Sequence, residues 1–436
     1  MTTERFAALG ETAVLVEPMH AVPIVSIVVA LRSGSGHDPA GREGLARIAT
    51  RMLRRGCEGS TSTQIEDELD RLGSEMAVDT GVSTVAIFAQ VIGRNLDPFI
   101  DLFERMLATS TFPQDELDRL ERETVAEIIE GRDNDRVVAQ KAFQRTMFAG
   151  HAYGRSSGGT TTTVPTITRA DVAAFHRAHF VRGNIVIGFA GDVTAERAKA
   201  LAERLVARLP SGPAQPDPVG EPPVQRGRRL VFVDKPERTQ TQILIGGMGT
   251  LPRDPDHTAL GVANAVFGGT FTSRLMKAVR SERGWSYGAY ARLSIDRHRQ
   301  SFSMWTFPGA EDAAPCIALE LTLLDEFLAK GITAEELAFI QQYLIRSHAF
   351  EIDTAAKRLH QALDIELLGL PSDYYSSQVE RTRAVTLDAA NEAVRTRIAA
   401  ADLLTVVVGT KSEIFEAVKA AIPGLASAET VPFDAE

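Results

Sequence analysis

The sequence predicts an α+β fold built from two tandem homologous halves. Three observations carry that prediction. The stretch 210–229 holds Pro210, Pro213, Pro216, Pro218, Pro222 and Pro223 and divides the 436 residues almost in half. That proline density admits neither a helix nor a central strand, so it reads as an extended linker. Short β-branched runs alternate with amphipathic stretches, a pattern met by sheets covered with helices. Finally, one offset recurs between the halves. The strand 184–187, closed by Gly191, matches 402–405, closed by Gly409, at an offset of 218. Thr166-Ile167-Thr168 matches Ala384-Val385-Thr386 at the same offset, and Val14 to Pro18 matches Val231 to Pro236 at the proline. Phe112 to Leu117 matches Ile332 to Leu337 with two residues more. Such recurrence reads as duplication of a unit of about 200 residues, an acceptable domain size. The expected division is 1–209, a linker 210–229, and 230–436.

Taken in order, Ile24 to Leu31 is a β-branched run and reads as a buried strand. Gly44 to Arg55 has helical periodicity and stops at Gly56, the residue type that closes helices in the left-handed conformation. Val82 to Val91 alternates like a strand. Asn95 to Ala108 is helical, and so is Gln114 to Glu130, which Pro113 starts. Arg169 to His179 is a further helix, followed by the strand Ile185 to Ala190.

Composition narrows the function. A hydrophobic content of 44% with 24% charged residues fits a soluble globular chain. A net charge of -10, with no basic stripe among aromatics, argues against nucleic acid as a partner. Two cysteines, Cys57 and Cys316, are too few for a disulfide framework. No run of 18 apolar residues is present, which argues against a membrane-spanning helix. The N-terminus lacks a basic start before an apolar core, so the expected location is cytoplasmic, or periplasmic if a leader has been trimmed.

The segment Gly44-Leu45-Ala46-Arg47-Ile48-Ala49-Thr50-Arg51-Met52-Leu53 resembles the zinc helix of the pitrilysin and mitochondrial-processing-peptidase family. That helix reads G-L-A-H-x-x-E-H-M-L, with two histidines for the metal and a glutamate for water. Here those positions hold Arg47, Thr50 and Arg51. Arginine stays protonated and has no lone pair to give. Two guanidinium groups on one face would also repel a divalent cation. The family's third ligand lies 76 residues beyond the second histidine. That count places Glu127 there, in Glu121-Arg122-Glu123-Thr124-Val125-Ala126-Glu127-Ile128. An isolated helix glutamate is usually solvated, but this register predicts an ion pair of Glu127 with Arg47 or Arg51 in place of the metal.

The second half carries Phe267-Gly268-Gly269-Thr270-Phe271-Thr272-Ser273-Arg274-Leu275, followed by Arg280 to Tyr287. This block resembles the family's F-G-G-x-x-x-S-R-L…R-x-x-x-G-x-x-Y pattern. Thr272 or Ser273 can cap a helix ending at Gly284, with a strand from Tyr287 to Ser294. In the family an arginine and a tyrosine seven residues apart face the catalytic cavity. By that resemblance Arg280 would hold a substrate carbonyl, and the Tyr287 hydroxyl would donate to the oxyanion. On spacing alone, an arginine near a helix end pairs with the dipole and a strand tyrosine packs across strands.

Other signals are weaker. His176 and His179 lie three residues apart without a third ligand. Gly246-Gly247-Met248-Gly249 lacks the lysine of a phosphate loop, and Ser156 to Thr160 reads as a flexible loop. Arg47, Arg51, Arg54 and Arg55 form either a solvated face or a site for acidic groups.

The resemblance covers nearly the whole chain. It implies a clam-shell of two halves, each of two related α/β subdomains with mostly antiparallel sheets. It also implies the role of zinc-less subunit in a heterodimeric zinc metalloendopeptidase, with no metal in this chain and zinc in a homologous partner subunit. Peptide would be the substrate, held partly by strand addition. A non-catalytic scaffold, or a peptide-binding partner in processing a peptide-derived cofactor, is the alternative.

Overall fold

The computed structural model describes residues 3–436. Its strands are β1 (Glu4–Ala8), β2 (Thr12–Pro18), β3 (Ile24–Leu31), β4 (Gly56–Cys57), β5 (Ser60–Thr61), β6 (Glu75–Thr80), β7 (Val85–Ile92), β8 (Ile185–Gly191), β9 (Arg228–Asp234), β10 (Gln242–Met248), β11 (Ala289–Leu293), β12 (Ser301–Thr306), β13 (Leu404–Gly409) and β14 (Leu425–Pro432). Its helices are α1 (Leu45–Arg51), α2 (Ser62–Leu72), α3 (Leu96–Ala108), α4 (Gln114–Glu130), α5 (Asp135–Met147), α6 (Arg169–His179), α7 (Ala195–Val206), α8 (His257–Asn264), α9 (Ala313–Lys330), α10 (Ala334–Ser347), α11 (Ala355–Leu368), α12 (Gln378–Ala384), α13 (Leu387–Arg397) and α14 (Lys411–Ala420).

The chain forms two compact units. The first takes Met1–Ile129, Arg155–Gly220 and Ala349–Ser372; the second takes Glu130–Gly154, Glu221–His348 and Asp373–Glu436. Each unit therefore includes one segment from beyond the proline-rich stretch. In the first unit the strands run β1-β2-β8-β3-β7-β6; in the second they run β11-β12-β10-β13-β9-β14. Both sheets are mixed, with most neighbours antiparallel. β2 and β8 are parallel in the first, and β9 is parallel to β13 and β14 in the second.

Each unit carries one six-stranded sheet rather than the two subdomains per half implied by the resemblance. The reason is hydrogen bonding: the strands of each half join one continuous ladder. Among the described residues, only the short β4/β5 pair is left outside.

The duplication is visible in the pairing. Gly191 stands across from Pro18, and Gly409 across from Asp234. The strand match at offset 218 thus holds for β8 and β13, but Asp234, not Pro236, is the equivalent of Pro18. The edges differ too. β1 runs antiparallel beside β2, while β14 runs parallel beside β9.

Apolar spacing explains the helices. In α3, Phe99, Ile100, Phe103 and Leu107 fall on one stripe and are buried against the sheet. Capping boxes start α2, α6 and α10 through Thr61/Gln64, Thr168/Asp171 and Thr333/Glu336. The other face of the first sheet takes α11, whose Leu359 and Leu363 pack on Leu15, Val28 and Val186. α5 does the same on the second sheet, where Phe143 reaches Gly246 of β10.

Candidate functional site

The residues read as a lost metal site lie together on α1 and α4. Gly44 starts α1 in a left-handed conformation, φ 98°, which a side chain would strain. The buried Asp38 carboxylate accepts the N–H groups of Gly44 and Ala46 at 2.9 and 2.8 Å, satisfying donors that a helix start leaves open. Burial, opposed by those hydrogen bonds, pushes the Asp38 carboxyl up to about 7. Leu45, Ala46, Ile48 and Ala49 face the core. This leaves Arg47 and Arg51, four residues apart, on the open face.

Glu127 on α4 receives both. Arg47 Nη2 donates to Glu127 Oε2 at 2.8 Å. Arg51 binds the same carboxylate with two nitrogens, Nη2 to Oε1 at 2.8 Å and Nη1 to Oε2 at 3.0 Å. It also donates to Thr124 Oγ1 at 3.2 Å. Burial presses the Glu127 carboxyl upward, but the hydrogen bonds and charges of Arg51 and Arg47 outweigh it and hold the group below the usual carboxylate range. Arg47 is lowered by burial and then by its like-charged neighbour Arg51, against the pull of Glu127. Thr50 is buried, and its hydroxyl donates to Ala46 O at 2.8 Å, a bond within the helix that presents nothing to a substrate.

This donor set does not fit zinc. Glu127 is the one anionic oxygen donor, and two permanent cations occupy the positions where neutral nitrogen ligands would stand. Among the described residues no group of three or more His, Cys, Asp or Glu is placed to hold a metal. The rest of the basic cluster is also paired. Arg54 binds Glu66 at 2.5 Å and the Met76 carbonyl at 3.0 Å, and Arg55 binds Glu123 at 2.6 Å. The loop 156–160 is pinned against the start of α1. A Cβ on Gly159 would meet Glu43 O at 2.5 Å, and one on Gly158 would meet Arg47 Nη1 at 3.0 Å. The glycines there are read as close-approach residues, not as a flexible tether.

In the second unit, α8 passes into a wider π-helical turn, Ala265–Gly269, and a second such turn spans Met276–Ser281. Turns of this kind are rare and frequent at functional sites. Ser273 Oγ accepts the Met276 N–H at 3.4 Å, as a cap should. Arg280 leaves the second turn half-buried. Its guanidinium carbon lies 4.4 Å from the Tyr287 ring centroid and 4.8 Å from that of Phe271. Tyr287 is 74% exposed and Phe271 67%. The strand begins two residues later than Tyr287, at Ala289. Arg280 and Tyr287 are thus brought together as a stacked pair on an open surface.

The weaker signals have structural explanations. A ring nitrogen of His176 meets the Leu107 carbonyl at 2.8 Å, and Nδ1 of the buried His179 meets Ser33 Oγ at 3.0 Å. Burial, then His37, depresses His179 to about 4, which keeps it neutral. Gly246 lies under Phe302 O, where a Cβ would stand at 2.2 Å, so that run of glycines serves strand contact. Cys57 and Cys316 are both free and buried, and burial raises both thiols. The residues that sequence reasoning missed are Asp38, Thr124 and Phe271. Of these, only Asp38 had a readable signal, an acidic residue shortly before a glycine-started helix.

Known proteins align with this arrangement. The family description "Insulinase (Peptidase family M16)" matches residues 13–161, and "Peptidase M16 inactive domain" matches residues 166–344. The protein named "Non-peptidase homolog YmxG" of Helicobacter pylori is 21% identical over 402 residues, spanning 92% of both chains. An uncharacterized zinc protease of Streptomyces coelicolor is 24% identical over 344 residues, covering 77% of this chain and 74% of the relative. The crystal structure of a peptidase M16 inactive domain from Pseudomonas fluorescens superposes with a TM-score of 0.86 at 24% identity, over 94% of this chain and 98% of that one.

Proposed function

The chain belongs to the peptidase M16 family, and on that premise we propose that it is the zinc-less subunit of a two-chain metalloendopeptidase. The hydrolysis itself would run on the zinc of a homologous partner. This chain would hold peptide and supply Arg280 and Tyr287, the first to a substrate carbonyl, the second as hydrogen-bond donor to the developing oxyanion. The observation that carries the reading is a contrast. The zinc positions are closed by an ion pair at 2.8 Å, while Tyr287 stays 74% exposed with Arg280 stacked on it. A tyrosine of purely structural use is normally half-buried or more.

The test is peptidase activity of this chain alone, of the zinc-bearing partner alone, and of the mixture. Activity in the mixture alone is expected. Tyr287→Phe should lower it about a hundredfold, the usual effect of losing one oxyanion donor. Full activity of the partner alone would sink the reading.

The second reading, a non-catalytic scaffold or a peptide-binding partner in cofactor processing, has one observation in its favour. The guanidinium of Arg280 is stacked between Phe271 and Tyr287, an arrangement that also serves packing. Under it, Tyr287→Phe leaves the activity of the mixture unchanged.

A further inference from the structure

A cleft of about 150 Å³ opens between α11 and the first sheet. Phe88, Leu359 and Leu363 form its walls, and Gln90, Ala356 and His360 its rim. All of them belong to the first unit. A void of this size takes one medium side chain.

The second unit has the same place, and there it is filled. Phe88 stands opposite Val28, which stands opposite Gly188 on β8. Trp305 stands opposite Leu244, which stands opposite Val406 on β13. Gly188 and Val406 are related by the recurring offset of 218, so Trp305 is the counterpart of Phe88. On the helices, the N-caps Asn134 and Thr354 align α5 with α11, and Arg136 becomes the counterpart of Ala356. Arg136 lies with its guanidinium carbon 3.9 Å from the Trp305 ring centroid. Trp305 Nε1 donates to Gln242 at 2.9 Å, and Phe307 and Tyr290 pack on the indole. Of the aromatic neighbours of Trp305, Tyr290 lies on β11 and Phe307 directly follows β12. The group that reaches it from outside the sheet is a guanidinium. In the first unit that group is missing, because Ala356 ends at its methyl.

We propose that the cleft between α11 and β7 is a side-chain slot for arginine, carried by an extended peptide; the proposal rests on the peptide-holding reading above. The guanidinium plane lies on the Phe88 ring, as that of Arg136 lies on Trp305. The methylenes of the stem pack on Leu359 and Leu363. At the rim, the Gln90 side-chain oxygen can accept a hydrogen bond. His360 stands 3.9 Å from Asp364, one helical turn on, so a carboxylate is close by. The net charge of -10 draws cationic peptides toward the chain.

The test uses the full chain with methyl-labelled leucine, titrated with N-acetyl-arginine amide, N-acetyl-phenylalanine amide and N-acetyl-aspartate amide. The Leu359 and Leu363 methyl resonances should shift saturably with the arginine compound, at least fivefold more tightly than with either other. Phe88→Trp combined with Ala356→Arg copies the second unit's packing, so it should fold and weaken this response more than tenfold. Equal or tighter binding of the phenylalanine compound overturns the proposal, and so does an undiminished response in the double variant. Retention of unfolded peptide by both proteins, with no response to arginine amide, removes the slot and leaves the peptide-holding reading. A response to arginine amide without retention of any peptide removes that reading, and with it the role assigned to the slot.

Discussion

The two sheets each receive a helix from beyond the proline-rich stretch, and the two helices are fastened by clasps of opposite polarity. On the first sheet the carboxylate sits on the strand. Glu17 of β2 accepts from Arg358 of α11 at 2.8 Å. On the second sheet the cation sits just past the strand. Lys235 donates to Asp135 of α5 at 2.5 Å and to the Arg132 carbonyl at 2.7 Å. Glu17 and Lys235 are both buried, so neither tolerates a like-charged neighbour. The two clasps do not occupy equivalent positions: with the N-caps Asn134 and Thr354 aligned, Asp135 corresponds to Ala355 and Arg358 to Val138. The two units thus share the apolar packing of a helix on the sheet and differ in the ion pair that fastens it.

The same contrast runs through the functional positions. In the first unit the positions that resemble a metal-binding register hold Arg47, Thr50 and Arg51, and Glu127 pairs with both arginines. Putting histidines back is therefore the strongest way to sharpen the comparison. Arg47→His with Arg51→His should give three protein ligands with Glu127. We expect one zinc per chain bound at micromolar or tighter, about 8 kcal/mol, measured by calorimetry and metal analysis, against none for the unaltered chain. Failure to bind would mean that Glu127 is not the third position of the lost site.

The clasps come next. Lys235→Ala leaves Asp135 and two carbonyls without their buried partner and should cost about 3–5 kcal/mol in urea unfolding. Lys235→Glu with Asp135→Lys should not recover it, because the Arg132 and Asp133 carbonyls that accept from Lys235 at 2.7 and 3.2 Å would then face a carboxylate. Full recovery by the reversed pair would show that polarity is immaterial here.

A third difference lies in the core. Aligning the starts of α3 and α9 sets Phe103 opposite Glu320, and both are fully buried. Glu320 accepts from Thr306 Oγ1 at 3.3 Å, but its other oxygen has no partner among the described residues. Burial pushes its carboxyl up to about 8. The folded chain keeps this proton between about pH 4.5 and 8, where the unfolded chain has given it up. Stability therefore falls as pH rises through that window. Glu320→Met should reduce the slope, leaving the share of the raised Asp38 carboxyl, and add about 2 kcal/mol at pH 8, read from unfolding curves at pH 5 and 8. An unchanged slope would place the titration elsewhere.

How legible all this was in the sequence depended on whether the signal was local. α4 and α6 fall on the predicted residues because proline, threonine caps and apolar spacing are read within one segment. The pairing of Glu127 with Arg47 or Arg51 was readable only through the family resemblance, whose 76-residue count points to Glu127; the structure pairs it with both. The placements of α5 and α11 were not. Nothing within either helix says which sheet it covers, and the charged partners that fasten them lie some 100 and 340 residues away. Asp234 rather than Pro236 as the partner of Pro18 escaped for a similar reason: proline identity matches by eye, whereas strand register is set by hydrogen bonds. Glu320 looked like an ordinary helix carboxylate because its burial comes from packing against β12.

The smallest expected effect is at the ion pair of Glu127 with Arg47 and Arg51. Glu127 is 40% exposed, and its two arginines are also partly open to water. Exposed ion pairs are worth roughly 0–1 kcal/mol, because water already solvates both partners and the side chains must be held still. Here the carboxylate also separates two guanidinium groups that otherwise repel each other, which places the pair toward the upper end of that range. Glu127→Gln should therefore cost about 1 kcal/mol at low salt. The loss should shrink as added salt screens the released repulsion between Arg47 and Arg51. It should also vanish on acidification below the ordinary glutamate value of 4.5, since a carboxyl held low when folded contributes above that value and loses its contribution as it takes up the proton. Unfolding measured at two salt concentrations and two pH values decides it. A salt-independent loss as large as that of Lys235→Ala would mean that the contact of Glu127 with the two arginines carries the fold. A small, screened loss means that it does not, and that the packing of α1 and α4 holds without it.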